Sequence, residues 1–238
     1  MPLQKPRGRK QVSHARAYAL VAVLALIVIA AAVLAYVNGY LLGGGSTSTS
    51  SASTSTSSCP APPSSTGGNV YACIKTTQGS FEVELFRSSA PQTVANFVNL
   101  ADSDFYNNLV WHRIATNPAV IQTGDPLTRN AGGNRGDWGT GGSNQTVPLE
   151  VSNSSLHNDR GYLGMARGSA PNSGTSQFYI NTQSNRELDG GYTIFGEVLY
   201  GGMTVVDKIA ALPTSTQYSQ QPANPSQAML VSVTILAS

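Results

Sequence analysis

Short apolar runs broken by turns dominate the chain from residue 69 onward, and they predict mainly β structure. Residues 80–86 alternate between apolar and polar side chains, which is the period of a strand with one buried face. The Gln78-Gly79 turn joins this strand to an apolar run at 70–76, so the two runs predict a β-hairpin. Further strand-like runs lie at residues 106–114, 120–122, 161–166, 177–181, 193–199 and 229–236.

Two stretches change to the helical period. The first opens at Ala90-Pro91 and keeps apolar side chains at helical spacing up to residue 101, with Ser88 or Ser89 as the expected N-cap. The second covers residues 202–211. About eight short strands with two helices are typical of a closed β-barrel that has helices over its ends.

The N-terminal segment has a different pattern. Residues 1–16 contain five basic residues, and residues 17–42 form an apolar run without a charge. As a helix, residues 17–37 alone would span roughly 30 Å, the thickness of the hydrocarbon core of a bilayer. We therefore predict a basic cytoplasmic tail at 1–16 and a transmembrane signal anchor at 17–42. The alternative is a cleaved secretory signal, whose apolar core is usually shorter, about 7–15 residues.

The anchor is followed by residues 43–68, which are rich in Gly, Ser, Thr and Pro. Such a segment has little apolar surface to bury, so it predicts a disordered linker. Residues 69–238 then form the folded domain. The expected location is the cell membrane, with a single pass and the folded domain outside the cytoplasm.

Charge and cysteine content narrow the function classes. Five of the fourteen basic residues belong to the tail, so the domain has nine basic against twelve acidic residues, a formal charge of −3. A weakly acidic domain lacks the electrostatic footprint of a nucleic-acid binder. Cys59 and Cys73 can pair in an oxidising compartment or remain two free thiols, and both alternatives stay open. No His or Cys has the spacing of metal ligands, so neither a metal nor another cofactor is expected.

Two strand-like runs carry the most informative chemistry. Arg113 keeps its proton at any workable pH and offers five N–H donors, while Gln122 adds a neutral donor and an acceptor. Such a pair can grip and polarise an amide, but it can act neither as a nucleophile nor as a general base. The chain has no Gly-x-Ser-x-Gly elbow and no phosphate-binding Gly-rich loop.

Four segments, in their order and spacing, resemble the cyclophilin family of peptidyl-prolyl cis-trans isomerases, and bacterial members in particular. The resemblance covers about residues 70–236. The segments contain Phe81-Glu82-Val83-Glu84-Leu85-Phe86 with Ala90-Pro91-Gln92-Thr93; Trp111-His112-Arg113-Ile114 with Ile121-Gln122-Thr123-Gly124-Asp125; Gly164-Met165-Ala166-Arg167 with Ser176-Gln177-Phe178-Tyr179; and Leu188-Asp189-Gly190-Gly191-Tyr192.

The resemblance implies a closed eight-stranded antiparallel β-barrel capped by two α-helices, with a ligand groove on its outside. It implies that Arg113 and Gln122 are the catalytic residues. Ala166 and Gln177 would hold the peptide on the amino side of the proline, and Tyr179 and Leu188 would line the proline pocket. The full set of implied substrate-binding residues is His112, Ala119, Val120, Ala166, Arg167, Gln177, Tyr179, Leu188 and Tyr192.

The turn before Val120 departs from the family pattern. Ala119 stands where the family usually has a Phe that faces the proline, which predicts a shallower pocket and weaker proline binding. Arg167 adds a positive charge at the groove.

The expected function is a monomeric prolyl isomerase that acts on proline-containing polypeptide clients during the folding of exported proteins. The rival is a catalytically weak module of the same fold that binds peptides or acts as a chaperone. A purely structural domain would leave Arg113 and Gln122 without a role.

Overall fold

The computed structural model describes residue 59 and residues 70–153 and 155–237. The predicted tail, the transmembrane segment and all of the linker except Cys59 lie outside these described residues. Within the described part, no helix has both the length and the apolar character needed to cross a bilayer.

Nine strands and two α-helices make up the described fold. The strands are β1 (Val70–Thr76), β2 (Gly79–Leu85), β3 (Leu109–Val110), β4 (Arg113–Thr116), β5 (Ala119–Thr123), β6 (Tyr162–Met165), β7 (Phe178–Asn181), β8 (Ile194–Val198) and β9 (Met229–Ala237). The helices are α1 (Pro91–Asp102) and α2 (Met203–Ala210), and short 3₁₀ turns lie at Pro126–Ala131, Arg135–Asp137, Arg186–Leu188 and Pro225–Gln227.

The strands form one antiparallel sheet in the order β3-β9-β1-β2-β8-β6-β7-β5-β4. The predicted closed eight-stranded barrel is therefore wrong in two respects, since the described sheet has nine strands and no ladder joins its edge strands β3 and β4. The reason is local. The predicted strand at 106–114 is interrupted at Trp111 and His112, so it forms two strands, β3 and β4. The free edge of β4 pairs with a loop and not with another strand: the Ile114 N–H donates to the Gln220 carbonyl at 2.6 Å.

The predicted first hairpin is confirmed. Strands β1 and β2 pair from Val70 opposite Leu85 to Thr76 opposite Gly79. Gly79 closes the turn with φ of +133°, a backbone conformation that L side chains rarely adopt. The apolar side chains of β2 (Phe81, Val83 and Leu85) are all buried, as the period-2 pattern predicts. Glu82, between two of them, is buried as well, so the opposite face is only partly exposed.

Aromatic rings fill the interior of the barrel. Phe97 of α1, Tyr106 and Phe178 of β7 contact one another with ring centroids 5.1 to 5.6 Å apart. Trp111 lies against Phe178 at 5.8 Å. These side chains are fully buried, and together with buried residues of both helices they form one continuous core. The core fixes the relative positions of the strands whose outer faces carry the site.

The first helix has an N-terminal cap that the local sequence does not reveal. Neither Ser88 nor Ser89 caps it, because the N-cap position is Ala90. The Glu150 carboxylate takes that role from a distant loop, accepting the N–H groups of Gln92 at 3.0 Å and Thr93 at 2.8 Å. A carboxylate at this end also complements the helix dipole.

Cys59 and Cys73 form a disulfide, with their Cα atoms 5.8 Å apart. The sequence leaves open whether the two cysteines are bonded or free, and in the structure they are bonded. Because Cys73 lies within β1, the bond ties residue 59 covalently to the sheet.

Candidate active site

The β4–β5 hairpin places the two candidate catalytic residues side by side. Its register sets Arg113 opposite Gln122 and Ile114 opposite Ile121. Because successive side chains of a strand point to opposite faces, the two isoleucines enter the core while Arg113 and Gln122 lie on the outer face. There Arg113 Nη1 donates to Gln122 Oε1 at 3.2 Å.

A chain of hydrogen bonds continues from this pair across the outer face. Gln122 Nε2 donates to Gln177 Oε1 at 2.9 Å, and Gln177 Nε2 donates to the carbonyls of Gly139 and Gly141 at 3.0 and 2.6 Å. A guanidinium can only donate, so each amide in the chain has its orientation fixed by the one before it. The side chains polarise one another in a single direction, from Arg113 to the Gly139–Gly141 backbone.

A cavity of about 320 Å³ opens beside Arg113, with polar side chains on one part of its lining and apolar side chains on the other. Its floor is a small hydrophobic cluster, separate from the main core, in which Ala115 and Val120 pack against Tyr179. Leu188 and Tyr192 contact the edge of the same cluster and also line the cavity. The strand alternation that buries Ile114 and Ile121 on one face thus builds this pocket on the other.

The position of Ala119 differs from what the sequence suggests. Thr116 and Ala119 are paired across a two-residue turn. Ala119 is two positions before Ile121 on the same strand, so its side chain points to the same face as Ile121 and away from the groove. Its backbone is held by Asn185, whose side chain accepts the Ala119 N–H at 2.9 Å and donates to the Ala119 carbonyl at 3.0 Å. The residue of this turn that lines the cavity is Pro118.

Tyr179 is fixed as the floor of the cavity by its hydroxyl group. The Oη atom donates to Asn158 Oδ1 at 2.7 Å. Burial raises the pKa of the Tyr179 phenol, so the hydroxyl stays protonated and keeps donating. The ring packs directly on Gly164, where any Cβ would overlap the Tyr179 side chain. Glycine is therefore required at residue 164 for the ring to lie where it does.

A second cavity of about 380 Å³ adjoins the first along the same groove, with Gln122, Ala166, Arg167 and Gln177 among its lining residues. The Arg167 guanidinium lies over the Tyr192 ring at 5.0 Å, and its Nε donates to the Gly191 carbonyl at 2.7 Å. These two contacts hold the positive charge of Arg167 on the rim that both cavities share.

His112 lines the first cavity from below and is almost fully buried. Burial lowers the pKa of its imidazole to about 4, although the nearby Asp125 carboxylate offsets part of that effect. Within the described residues, neither ring nitrogen completes a hydrogen bond of ordinary geometry. The imidazole is therefore neutral at pH 7, and Arg113 provides the positive charge on this side of the groove.

The family model of the cyclophilin type peptidyl-prolyl cis-trans isomerases matches residues 71–234. The chain belongs to this family. The match covers nearly all of the described domain, including every residue of the groove, so the resemblance of four sequence segments to the cyclophilin family is confirmed. The cyclophilin-type family is an isomerase family, and the chain is accordingly a peptidyl-prolyl cis-trans isomerase.

Relatives and solved structures agree with this membership. A peptidyl-prolyl cis-trans isomerase of Acinetobacter baylyi is 39% identical over 172 residues, covering 70% of this chain and 86% of that protein. One of Helicobacter pylori is 38% identical over 140 residues, covering 58% and 79%. A cyclophilin type isomerase of Cryptosporidium parvum, crystallised in the presence of the dipeptide Ala-Pro, has a TM-score of 0.60 at 29% identity, covering 71% and 99%.

Several residues that shape the cyclophilin groove are not evident from the sequence. Pro118 lines the cavity, Asn185 holds the β5 backbone and Asn158 anchors Tyr179. Gln220 bonds directly to Arg113. Gln220 comes from a loop far from the motifs in sequence, so no local pattern links it to the site. Pro118, Asn158 and Asn185 lie close to motif residues, but nothing in the local pattern shows that their side chains reach the groove. In the described part of the chain, no group of three or more His, Cys, Asp or Glu side chains is placed to hold a metal ion.

Proposed function

We propose that Arg113, assisted by Gln122, catalyses rotation about the Xaa–Pro bond of a peptide lying in the groove. Amide resonance opposes this rotation with a barrier of about 18–20 kcal/mol. A guanidinium N–H directed at the prolyl nitrogen favours the pyramidal nitrogen of the twisted amide, a geometry found only near the transition state. The observation that carries the proposal is the hydrogen-bonded Arg113–Gln122 pair, which lines the same cavity as the apolar side chains that would hold a proline ring.

The two cavities suggest how the peptide would be held while it twists. The proline ring would enter the first cavity, between Val120, Tyr179 and Leu188. The amino-side residue would lie in the second, against Ala166 and Gln177. His112, Arg167 and Tyr192 would contact the peptide at the edges of these two cavities. With both ends fixed, the strain of the twist falls on the amide between them.

The proposed setting is the outer side of a membrane, with exported polypeptides as clients of a monomeric, tethered enzyme. The uncharged run at residues 17–37 and the basic residues before it support an N-in anchor. The Cys59–Cys73 disulfide supports an oxidising compartment for the domain. Residues 43–68 would serve as the tether.

The catalytic role can be tested on the full chain by exchange NMR of an Ala-Pro tetrapeptide. We expect the wild type to accelerate exchange, and Arg113→Ala to lose about 10²–10³-fold, the usual effect of removing one transition-state donor. Arg87→Ala removes an exposed arginine outside the groove and is expected to match the wild type. A wild type at the uncatalysed rate would instead favour a peptide-binding module, and an active Arg113→Ala variant would contradict the assigned mechanism.

The anchor can be tested separately by determining the N-terminus of the protein recovered from cell membranes. An anchored enzyme begins within residues 1–16 and stays with the membrane after a salt wash. A mature protein that begins after residue 42 would show that the apolar run is a cleaved signal.

A further inference from the structure

The loop of residues 213–224 runs along the open edge of β4, the strand that carries Arg113. The Ile114 N–H, which faces away from β5, donates to the Gln220 carbonyl at 2.6 Å. Gln220 has a left-handed backbone with φ of +64°, a conformation that a glutamine keeps only where its surroundings hold it. The loop therefore has a fixed register on the strand of the proposed catalytic arginine.

The Gln220 side chain bonds to Arg113 itself. Arg113 Nε donates to Gln220 Oε1 at 2.8 Å, while Nη1 donates to Gln122 Oε1 at 3.2 Å. Both glutamines must present their carbonyl oxygens, since a guanidinium has only donors. Two bonds from different nitrogens of one planar group fix the rotation of that plane. The remaining donors of the Nη nitrogens stay available to a peptide in the cavity.

A second contact holds the loop in place. The Arg135 guanidinium lies between two aromatic rings, 5.1 Å from the Trp138 centroid and 4.9 Å from that of Tyr218. Arg135 Nε also donates to Gln221 Oε1 at 3.0 Å, and Gln221 Nε2 donates back to the Arg135 carbonyl at 2.8 Å. The residue next to Gln220 is thus attached to the segment around Trp138.

These contacts close a ring around the groove. From Arg113 the ring passes through Gln122 and Gln177 to the Gly139 carbonyl. From Trp138, next to Gly139, it returns through Arg135 and the loop to Gln220 and Arg113. The arginine is therefore held from both sides by one connected structure, and Gln220 is the last link on the loop side.

We propose that Gln220 is a positioning residue for Arg113, holding the guanidinium plane at the angle from which it meets the prolyl nitrogen. The proposal rests on the catalytic role proposed above for Arg113. Without Gln220, the guanidinium could rotate about its remaining hydrogen bond to Gln122. Reaching the transition state would then cost the entropy of fixing the guanidinium plane. The cost falls on the chemical step, because peptide binding uses the cavities, which Gln220 only borders.

The test compares Gln220→Ala with Gln217→Ala in the full chain. Gln217 lies in the same loop with an exposed side chain and does not line the cavity, so its variant is a matched control. Exchange NMR on an Ala-Pro tetrapeptide gives kcat and KM separately. We expect Gln220→Ala to lower kcat about fivefold to tenfold, the effect of one net hydrogen bond, with KM within about twofold. The control is expected to keep both constants and the melting temperature of the wild type.

A spectroscopic measurement separates positioning from general support of the fold. The Arg113 Nε–H resonance is assigned by its loss in Arg113→Lys, which has no such group. We expect this N–H to exchange faster with water and to become more mobile in Gln220→Ala, and to be unchanged in Gln217→Ala. An unchanged kcat, an unchanged Nε–H signal, or a kcat loss matched by lower thermal stability would overturn the proposal. A Gln220→Ala variant that stays active while Arg113→Ala is inactive would overturn only the role of Gln220 and leave the proposed mechanism standing.

Discussion

The two faces of the β4–β5 hairpin have different tasks although their residues alternate along the same strands. On the inner face, Ile114 and Ile121 are buried in the aromatic core that holds the barrel together. On the outer face, Arg113 and Gln122 are joined by a hydrogen bond beside a cavity. One face is fixed by packing and the other by directed polar contacts, so substitutions on each face should affect different measurements.

The difference also appears in how each face tolerates change. The inner core is continuous and includes buried residues of both helices, so a substitution that leaves a cavity there removes packing contacts from many neighbouring side chains. The outer cluster consists of three buried residues (Ala115, Val120 and Tyr179) with three more packed at its edge. Its geometry depends on single contacts, such as the bond of Tyr179 to Asn158. Inner-face variants should therefore mainly lower stability, and outer-face variants should mainly lower activity.

The largest effect is expected from Phe178→Ala on the inner face. The ring is fully buried and contacts the rings of Phe97, Tyr106 and Trp111. Removing it should lower the free energy of unfolding by about 3–5 kcal/mol, measured by urea denaturation. The neighbouring Tyr179→Phe removes only one hydroxyl on the outer face and should cost about 1 kcal/mol. Similar losses for both variants would remove the distinction between the faces.

The next effect is a pH dependence of stability that arises from His112, which is buried and lines the first cavity. Burial lowers the pKa of this imidazole to about 4, so the unfolded chain binds a proton there before the folded protein does. Stability is therefore fully present above about pH 6.5 and falls as the pH drops toward about 4, by about 3 kcal/mol in total. His112→Gln should flatten this part of the stability–pH curve. A wild-type curve that is flat between pH 6.5 and 4 would contradict the buried neutral state.

A smaller effect is expected from Gly164→Ala, which should disturb the outer face alone. The added methyl group would overlap the Tyr179 ring and displace the floor of the cavity. We expect a stability loss of about 1–3 kcal/mol together with a raised KM for proline peptides. Gly201→Ala is a suitable control, because that glycine has φ of +83° but an added Cβ would meet no atom within 4 Å. It should cost some stability and leave KM unchanged, and an unchanged KM in Gly164→Ala would argue against Tyr179 as the pocket floor.

The smallest effect is expected from Arg135→Ala, which loosens the loop beside the outer face. The variant removes two cation–π contacts and the side-chain hydrogen bonds to Gln221 Oε1 and to the Pro222 carbonyl, each worth about 0.5–1 kcal/mol at a partly exposed site. Because the loss reaches Arg113 only through Gln220, kcat should fall by a few-fold and less than in Gln220→Ala. A loss of kcat larger than that of Gln220→Ala would mean that Arg135 acts on the groove by another route.

Much of the fold could be predicted from the sequence, because strand alternation and motif spacing are local properties. The first hairpin and both described helices follow from them, as does the placing of Arg113 and Gln122 on neighbouring strand-like runs. Contacts between distant segments could not be predicted this way. The Glu150 cap of α1 is one example, and the Gln220–Arg113 bond is another.

The turn before Val120 shows a different limit. The sequence suggested Ala119 as the residue facing the proline, by counting positions along the family pattern. The hairpin register instead pairs Ala119 with Thr116 and leaves Pro118 at the cavity. Because a shift of one position reverses the face of every side chain, register decides which residue forms the wall. Register depends on the whole sheet, so counting positions in one turn cannot supply it.

We propose that Arg113 stabilises the twisted amide of the transition state and contributes little to binding of the planar peptide. The most direct test measures peptide affinity by NMR titration and kcat by exchange spectroscopy on the same samples of wild type and Arg113→Ala. If the account is right, kcat falls by at least about 100-fold while Kd changes by less than about fivefold, and the urea midpoint stays the same. A variant whose loss lies in Kd, with kcat near that of the wild type, would contradict it.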